Sequence, residues 1–350
     1  MSEHKFPYRW NLADGYPAAG IEKHGCKVFG TFVCGGGSTM GYKLAGYEHL
    51  GGVEIDPKVA AIYKANHNPK HLFIEDIRAF NKRNDLPEEL YNLDLLDGSP
   101  PCSSFSMAGN REKDWGKNKQ FREGQEYQRL VDLVFEYVRT IEKLQPKVAL
   151  LENVKGLIIG NAKAYARNLK LAFEAAGYRV QVFLLNAASM GVPQKRERVF
   201  FIGLRKDINL PELVLQFNEK PILFGEIAYK TKNETHKKLT GSAFELWKKV
   251  KPGRTLADAH EKGNWFSWWK LSMNEVCPTL TGTAGSGNQY SRGDIPVSTN
   301  DTEWILCGTF PIDYNFNNTD VKYLIGMSVP PVMAAQIAHQ IWLQWLSKAG

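Results

Sequence analysis

The chain of 350 residues has only five cysteines, and no two of them form a Cys-x-x-Cys pair. An odd, scattered set of cysteines argues against a disulfide framework and against a cysteine zinc site, and we predict no bound metal. No run approaches the ~20 apolar residues that a membrane-spanning helix needs. The N-terminal residues also lack the apolar core of a signal peptide. We therefore expect a cytoplasmic protein without a membrane partner.

Acidic residues are fewer than basic ones, 37 against 44, which gives a formal net charge of +7. A basic balance permits a polyanionic partner but does not prove one. Low-complexity runs are absent, and the hydrophobic content of 43% is high enough to build a core, or two unequal domains.

Short apolar runs alternate with amphipathic stretches up to about residue 205. The predicted helices cover residues 127–144 and 161–176, and the predicted strands cover residues 27–33, 50–55, 93–97, 148–152, 178–185 and 199–204. Strands that alternate with helices predict an α/β fold, a doubly wound and mostly parallel sheet with helices on both faces.

The pattern changes between residues 206 and 300, where turn residues multiply and helical periodicity fades. Within residues 229–251, seven lysines stand against two glutamates. Order returns near residue 304, and a last helix is predicted from 328 to about 347, opened by Pro330 and Pro331. We predict a larger domain of residues 1–205 plus 301–350 and a smaller inserted domain of residues 206–300.

A glycine-rich segment, Phe32-Val-Cys-Gly-Gly-Gly37, follows the first predicted strand. Glycines in this position let the backbone approach a ligand closely. The next strand ends at Glu54, where doubly wound sheets bind a ribose diol. Asp76 belongs to a further strand edge, Ile74-Glu-Asp76, and could accept a hydrogen bond from an adenine amino group. These features predict an adenosine-type cofactor. The spacing Gly35-x-Gly37-x-x-x-Gly41 departs from the dinucleotide fingerprint, so NAD is the weaker interpretation.

Reactive groups follow the later strands. Cys102 comes directly after a predicted strand and two prolines, with small polar flanks that the other four cysteines lack. A free thiol titrates near about 8.5, so a nucleophile here needs a nearby base or cation. Glu152 stands behind four apolar residues, and strand alternation places Gln194, Arg196 and Arg198 on one face. We predict an active site at the carboxyl edge of the sheet.

In this order, these motifs resemble the DNA (cytosine-5) methyltransferases of prokaryotic restriction-modification systems, and the likeness covers nearly the whole chain after about residue 27. The matching segments are Phe32 to Gly37, Glu54, Asp76, Ser99-Pro-Pro-Cys102, Glu152-Asn-Val154, Gln194-x-Arg196-x-Arg198 and Gly326-Met-Ser-Val-Pro-Pro331. The resemblance implies S-adenosyl-L-methionine as methyl donor and double-stranded DNA as partner, with base flipping. It also implies a target-recognition role for residues 206–300 and a nucleoid-associated monomer without an obligate protein partner.

The resemblance assigns roles to individual residues. Cys102 would attack C6 of the cytosine, Glu152 would stabilise charge at N3, and Arg198 with Arg196 would hold the base O2 and the carboxylate. The cofactor-binding residues that it implies are Phe32, Gly35, Gly36, Gly37, Glu54, Ile55, Asp76, Ile77 and Ser328.

Two departures from the family pattern fall in these motifs. Cys34 stands where the loop has its first glycine, and Met327 replaces an asparagine. Neither removes a reactive group, so we expect an active enzyme. Three alternatives remain: the same chemistry on RNA (tRNA), an inactive DNA-binding relative, and a nicotinamide oxidoreductase. The lysine-rich segment favours DNA over RNA, and retention of Cys102, Glu152 and Arg198 argues against an inactive protein.

Overall fold

The computed structural model describes residues 4–101, 132–282 and 289–349. The chain forms two compact units, which are described separately. The larger comprises Pro17–Leu185, Glu197–Gln216 and Ile337–Gly350, and the smaller comprises Met1–Tyr16, Asn186–Arg196 and Phe217–Gln336.

The described residues form twelve strands and ten α-helices. The strands are β1 (Lys27–Thr31), β2 (Glu48–Glu54), β3 (His71–Ile74), β4 (Leu95–Gly98), β5 (Val148–Val154), β6 (Tyr178–Asn186), β7 (Gln194–Lys195), β8 (Glu197–Arg205), β9 (Arg254–Thr255), β10 (Trp268–Lys270), β11 (Cys277–Pro278) and β12 (Gln289–Ser291). The helices are α1 (Gly37–Leu44), α2 (Pro57–His67), α3 (Ile77–Lys82), α4 (Leu133–Leu144), α5 (Lys163–Ala175), α6 (Phe224–Lys230), α7 (Gly241–Lys249), α8 (Asp301–Cys307), α9 (Val321–Met327) and α10 (Pro331–Gln344).

The larger unit is built on a seven-stranded sheet in the order β3-β2-β1-β4-β5-β8-β6. The pairs β1–β2, β1–β4, β2–β3 and β4–β5 are parallel, whereas β5 and β8 are antiparallel. The predicted α/β fold with a doubly wound, mostly parallel sheet is therefore confirmed. The strand order reverses between β1 and β4, and ligands bind at the carboxyl ends of the strands on either side of such a reversal.

Apolar periodicity explains the helices that cover this sheet. Val134, Tyr137, Ile141 and Leu144 of α4 are all buried, as their spacing predicts. The first residues of the predicted 127–144 helix lie outside the described residues. Helix α5 ends just before Gly177, whose φ of 100° is in the left-handed region that terminates helices.

The smaller unit has wider boundaries than the inserted domain of residues 206–300 that we predicted. The N-terminal residues belong to it because Phe6 and Trp10 are buried there, and the Trp10 indole donates to the Thr309 carbonyl (3.0 Å). Residues 206–216 instead belong to the larger unit. There the Leu213 backbone N–H donates to the side-chain oxygen of Gln181 (2.8 Å), and the side-chain amide of Gln181 donates to the Leu213 carbonyl (3.0 Å). Local turn composition does not encode such distant partners.

The smaller unit exposes the lysine-rich segment of residues 229–251. All seven of its lysines are exposed: Lys230, Lys232, Lys237, Lys238, Lys248, Lys249 and Lys251. Within the described part of the chain, no helix combines the length and the apolar character that a membrane crossing requires.

Candidate active site

The glycine-rich segment connects β1 to α1 through an unusual backbone. Phe32, Cys34 and Gly36 have φ values of 57°, 48° and 78°. Only glycine adopts such left-handed values without steric cost, so a glycine in place of Cys34 would relieve strain. The backbone adopts this left-handed conformation with a cysteine at position 34.

The Glu54 carboxylate ties the end of β2 to this segment. Its Oε2 accepts from the Cys34 amide (2.8 Å) and its Oε1 from the Asp56 amide (3.0 Å). Burial raises the pKa of Glu54, and the backbone hydrogen bonds from Asp56 and Cys34 oppose that rise. The carboxylate is thus held in one orientation beside the loop.

Asp76 lies one strand further along the same sheet edge, because β2 and β3 pair in parallel with Glu54 opposite Ile74. It caps α3, its Oδ1 accepting from the Arg78 amide (2.7 Å), and its Oδ2 is ion-paired with the Arg78 guanidinium (3.2 Å). Both carboxylates are therefore held in fixed orientations at this sheet edge.

These groups fit an adenosine. A glycine loop and two oriented carboxylates on adjacent parallel strand ends match the ribose and adenine positions expected for S-adenosyl-L-methionine. Ile55 is half-buried, and Ile77 is 3% exposed within the core cluster, which leaves it little surface for a ligand. Ser328 lies in the smaller unit, where its hydroxyl donates to the Leu324 carbonyl (2.8 Å). The cofactor contacts of these residues stay predictions.

Glu152 and Arg198 form an ion pair on the antiparallel strands β5 and β8. The Arg198 Nε lies 2.9 Å from Glu152 Oε1, and the two side chains are only 14% and 12% exposed. A desolvated pair of this kind is costly to build and keeps the carboxylate in a fixed position. The sequence placed both residues at one sheet edge, and the structure brings them into contact.

Asn153 connects this pair to the segment that leads to the predicted nucleophile. Its side chain is 1% exposed, and its Nδ2 donates to the Pro100 carbonyl (3.3 Å). Pro100 stands two residues before Cys102. Cys102 itself lies outside the described residues, so the structure gives the anchor of its segment and not the position of its thiol.

Arg196 has surroundings unlike those of Arg198. Alternation holds, since Gln194 and Arg196 are buried while Lys195 and Glu197 are exposed. In the smaller unit, the Arg196 guanidinium donates to the carbonyls of Leu280 and Gly326 (3.0 Å each). These hydrogen bonds connect segments of that unit, and a direct role of Arg196 in chemistry stays a prediction.

Asp97 is a buried acid at the end of β4 to which the sequence analysis gave no role. It is 5% exposed and accepts from the Tyr42 hydroxyl (3.0 Å). Burial raises the pKa of Asp97 to about 7; the Tyr42 hydrogen bond opposes the rise and the charge of Glu152 adds to it. An acid directly behind Leu95 and Leu96 carries the same sequence signal as Glu152 behind its apolar run.

Among the residues that the structure describes, no group of three or more histidine, cysteine, aspartate or glutamate side chains could hold a metal ion. The site as described consists of buried acids, an arginine paired with one of them, and a glycine loop, all at the carboxyl edge of a doubly wound sheet. Fold and site together are those of an α/β enzyme class whose ligand site lies at the carboxyl edge of a doubly wound sheet.

Comparison with known proteins narrows this class. Residues 26–262 match the family model of the C-5 cytosine-specific DNA methylases. The chain belongs to this family, as its motifs predicted.

Two curated relatives are similar over part of the chain. The type II methyltransferase M.NgoPII of Neisseria gonorrhoeae is 37% identical over 185 residues, 53% of this chain and 49% of the relative. The type II methyltransferase M.FnuDI of Fusobacterium nucleatum is 34% identical over 229 residues, 65% of this chain and 58% of the relative. The chain thus spans about half the length of the curated relatives it matches.

Solved structures support the fold alone. A protein encoded within an E. coli prophage superposes with a TM-score of 0.65 at 20% identity, covering 92% of this chain and 100% of that chain. The Dnmt2 methyltransferase of S. pombe superposes with a TM-score of 0.58 at 14% identity, covering 91% and 98%.

Proposed function

We propose that this protein transfers a methyl group from S-adenosyl-L-methionine to C5 of a specific cytosine in double-stranded DNA. The observation that carries the proposal is the arrangement at the end of β5. There Glu152 is paired with Arg198, and the neighbouring Asn153 holds the backbone of Pro100, two residues before Cys102. One sheet edge thus carries a carboxylate, a cation and the fixed backbone segment that leads to a cysteine.

The cofactor supplies an electrophilic methyl group on a sulfonium centre. Glu54 receives the ribose hydroxyls, Asp76 accepts from the adenine amino group, and the backbone of Gly35 to Gly37 lets the ligand approach closely. We infer these contacts from the oriented carboxylates and from the left-handed turn at Gly36.

The protein's own groups act on the base. Cytosine C5 is a poor nucleophile, so the Cys102 thiolate adds to C6 and makes the ring electron-rich at C5. Glu152 holds a proton that it shares with N3, which stabilises the negative charge developing there, and Arg198 keeps Glu152 oriented and contacts the base O2. After methyl transfer a base removes the C5 proton and the C6–sulfur bond breaks, which regenerates the thiolate. Because this face of the base is unreachable inside a duplex, the cytosine is flipped out of the helix.

The substrate is argued from the family and from charge. The matched family is defined by DNA methylation, and the smaller unit exposes seven lysines within residues 229–251. Lysines in this number suit contacts with phosphates, which position a protein without reading the sequence. We propose that the smaller unit recognises the target site.

The test uses purified protein, S-adenosyl-L-methionine labelled in its methyl group, and either duplex DNA or transfer RNA. We expect label in DNA cytosines, with positions given by bisulfite sequencing, and none in RNA. Cys102→Ala should abolish transfer. The matched control is Cys26→Ala, which removes a half-buried thiol of the same unit whose pKa burial raises to about 11.

A trapping experiment identifies the nucleophile. In DNA with 5-fluorocytosine at the target, C5 cannot release its substituent as a proton, so the protein should remain joined to DNA after denaturation. Peptide mapping should locate the bond at Cys102. An active Cys102→Ala protein, an adduct at another cysteine, or labelling of RNA alone would each contradict the proposal.

A further inference from the structure

A histidine far from the glycine loop in sequence contacts its backbone. His67 is the last residue of α2 and is 6% exposed. Its Nε2 lies 3.2 Å from the carbonyl oxygen of Gly35. A carbonyl only accepts hydrogen bonds, so Nε2 carries the proton and donates.

The surroundings keep this imidazole neutral. Burial, together with the positive charge of Lys43, lowers the pKa of His67 to about 3, and the hydrogen bond to the Gly35 carbonyl opposes this fall. The Lys43 ammonium in turn donates to the backbone carbonyl of His67 (3.1 Å). Helix α1, the end of α2 and the loop are therefore connected through one residue.

The ring also occupies the space next to Gly36. A Cβ atom added to Gly36 would overlap the Nε2 of His67, and the φ of 78° already favours glycine there. The loop backbone therefore lies directly on the imidazole, and the glycine is required on two independent grounds.

We propose that His67 is a positioning residue for the cofactor loop, whose donated hydrogen bond fixes Gly35 and Gly36 in the conformation that binds S-adenosyl-L-methionine. This inference rests on the proposed cofactor. It differs from a purely structural role, because a side chain that only fills the core would affect stability without selectively affecting the loop.

The chain offers a matched control at the opposite end of α1. His24 Nε2 is hydrogen-bonded to the carbonyl of Ala45 (3.0 Å), the C-cap of that helix. His24 and His67 therefore make the same type of contact, from Nε2 to a backbone carbonyl. His24 contacts the C-cap of α1, and His67 contacts the loop that precedes the same helix. Removal of the His24 ring breaks a contact to the helix end only, whereas removal of the His67 ring breaks the contact to the loop. Comparing the two variants therefore isolates the effect on the loop.

The first experiment measures binding of S-adenosylhomocysteine by calorimetry, with the unfolding temperature of each variant recorded. His67→Leu removes the donor, and we expect affinity to fall about tenfold, since a lost buried hydrogen bond is worth about one such factor. His67→Gln keeps a donor at similar reach and should bind within about threefold of wild type on the same reasoning. His24→Leu should lower the unfolding temperature without changing affinity.

The second experiment needs no ligand. Hydrogen–deuterium exchange of the free protein should accelerate in the peptide covering residues 32–37 for His67→Leu, and remain unchanged there for His24→Leu. Equal affinities for His67→Leu and wild type, equal loop exchange in the two leucine variants, or no rescue by glutamine would overturn the proposal. If wild type binds no S-adenosylhomocysteine, the proposed cofactor fails, and exchange alone then decides whether His67 holds the loop.

Discussion

At the scale of single residues, the main feature of the site is a set of three buried carboxylates at the carboxyl edge of the sheet. Glu54 and Glu152 are each 9% exposed and Asp97 is 5% exposed. Burial of an acid is unfavourable unless a partner compensates it. Here the partners are backbone amides for Glu54, the Tyr42 hydroxyl for Asp97 and the Arg198 guanidinium for Glu152. Burial raises the pKa of Glu54 and of Asp97, and acids with perturbed pKa values cluster at functional sites.

Asp97 gives the stability of the free protein a pH dependence of known sign. Its folded pKa of about 7 is above its ordinary value of 3.8. The contribution of Asp97 is therefore fully present below about pH 4 and is lost as pH rises through 7. Asp97→Asn should gain stability relative to wild type as pH increases, by about 4 kcal/mol between pH 4 and 8. Urea denaturation across this range measures the difference, and a constant difference would contradict the argument.

The Glu152–Arg198 pair should show coupling in a double-mutant cycle. Arg198→Ala leaves a carboxylate that is only 12% exposed without its partner, and should cost about 3 kcal/mol of unfolding free energy. Glu152→Gln in the same protein removes the unpaired charge, so the double variant should recover part of that loss. Denaturation of the four proteins measures the coupling. The exposed pair Lys155–Glu197 is the control, where coupling should stay below about 1 kcal/mol.

At the scale of elements, α4 is joined to the two strands that lead into the site. The Tyr137 hydroxyl is 2.8 Å from the carbonyls of both Leu96 in β4 and Leu150 in β5. The Tyr137 ring also leaves no room for a side chain at Gly98, since an added Cβ there would overlap it. Helix α4 is thus attached to both of the paired strands that carry Asp97 and Glu152.

Two variants distinguish the hydroxyl from the ring. Tyr137→Phe keeps the packing and should destabilise the fold by about 1–2 kcal/mol, the value of a buried hydrogen bond. Gly98→Ala forces the ring to move and should cost more, about 2–3 kcal/mol, as overpacked cores do. Thermal unfolding shows which variant loses more stability. A larger loss of stability in Tyr137→Phe than in Gly98→Ala would show that the hydroxyl, and not the ring, determines the packing.

At the scale of the whole molecule, each unit is assembled from three separate stretches of chain. The N-terminal residues contribute to the smaller unit through buried aromatic side chains, and β7 pairs with β11 in the same unit. The chain therefore enters and leaves each unit more than once, and segments far apart in sequence depend on each other for stability.

The N-terminal segment should be required for the stability of the protein. Phe6→Ala and Trp10→Ala remove side chains that are 0% and 5% exposed, and each should cost about 3–5 kcal/mol, as for other large buried aromatics. Arg9→Ala, an exposed neighbour, should change stability by less than about 0.5 kcal/mol. Chemical denaturation tests both, and equal stabilities for the three variants would show that the segment is not part of the fold.

Binding of DNA should weaken with salt because lysines of the smaller unit displace counterions from phosphates. A variant with glutamine at the exposed positions Lys237, Lys238, Lys249 and Lys251 should flatten the plot of log affinity against log salt by up to about 0.9 for each lost contact. The control replaces the exposed Lys64 and Lys82 of the larger unit and should leave the slope unchanged. Equal slopes in both variants would remove the proposed phosphate role.

Much of the fold could be predicted because its signals are local. Apolar runs located six of the seven strands of the main sheet, and alternation placed Gln194 and Arg196 together in the buried set. The short strand β3 is not among the predicted strands, and only its edge near Asp76 is. Its four residues, His71–Ile74, are half-buried or exposed.

The sequence by itself determined the sheet, the glycine loop, the acids at its carboxyl edge and the family, because each depends on a short run of neighbouring residues. The tertiary structure alone decided the contact of His67 with Gly35, the bond from Asn153 to Pro100 and the boundaries of the two units. The two contacts join residues that are 32 and 53 positions apart in sequence. A local pattern specifies which face of an element is buried, whereas the distant group that fills the space beside it depends on how the whole chain packs.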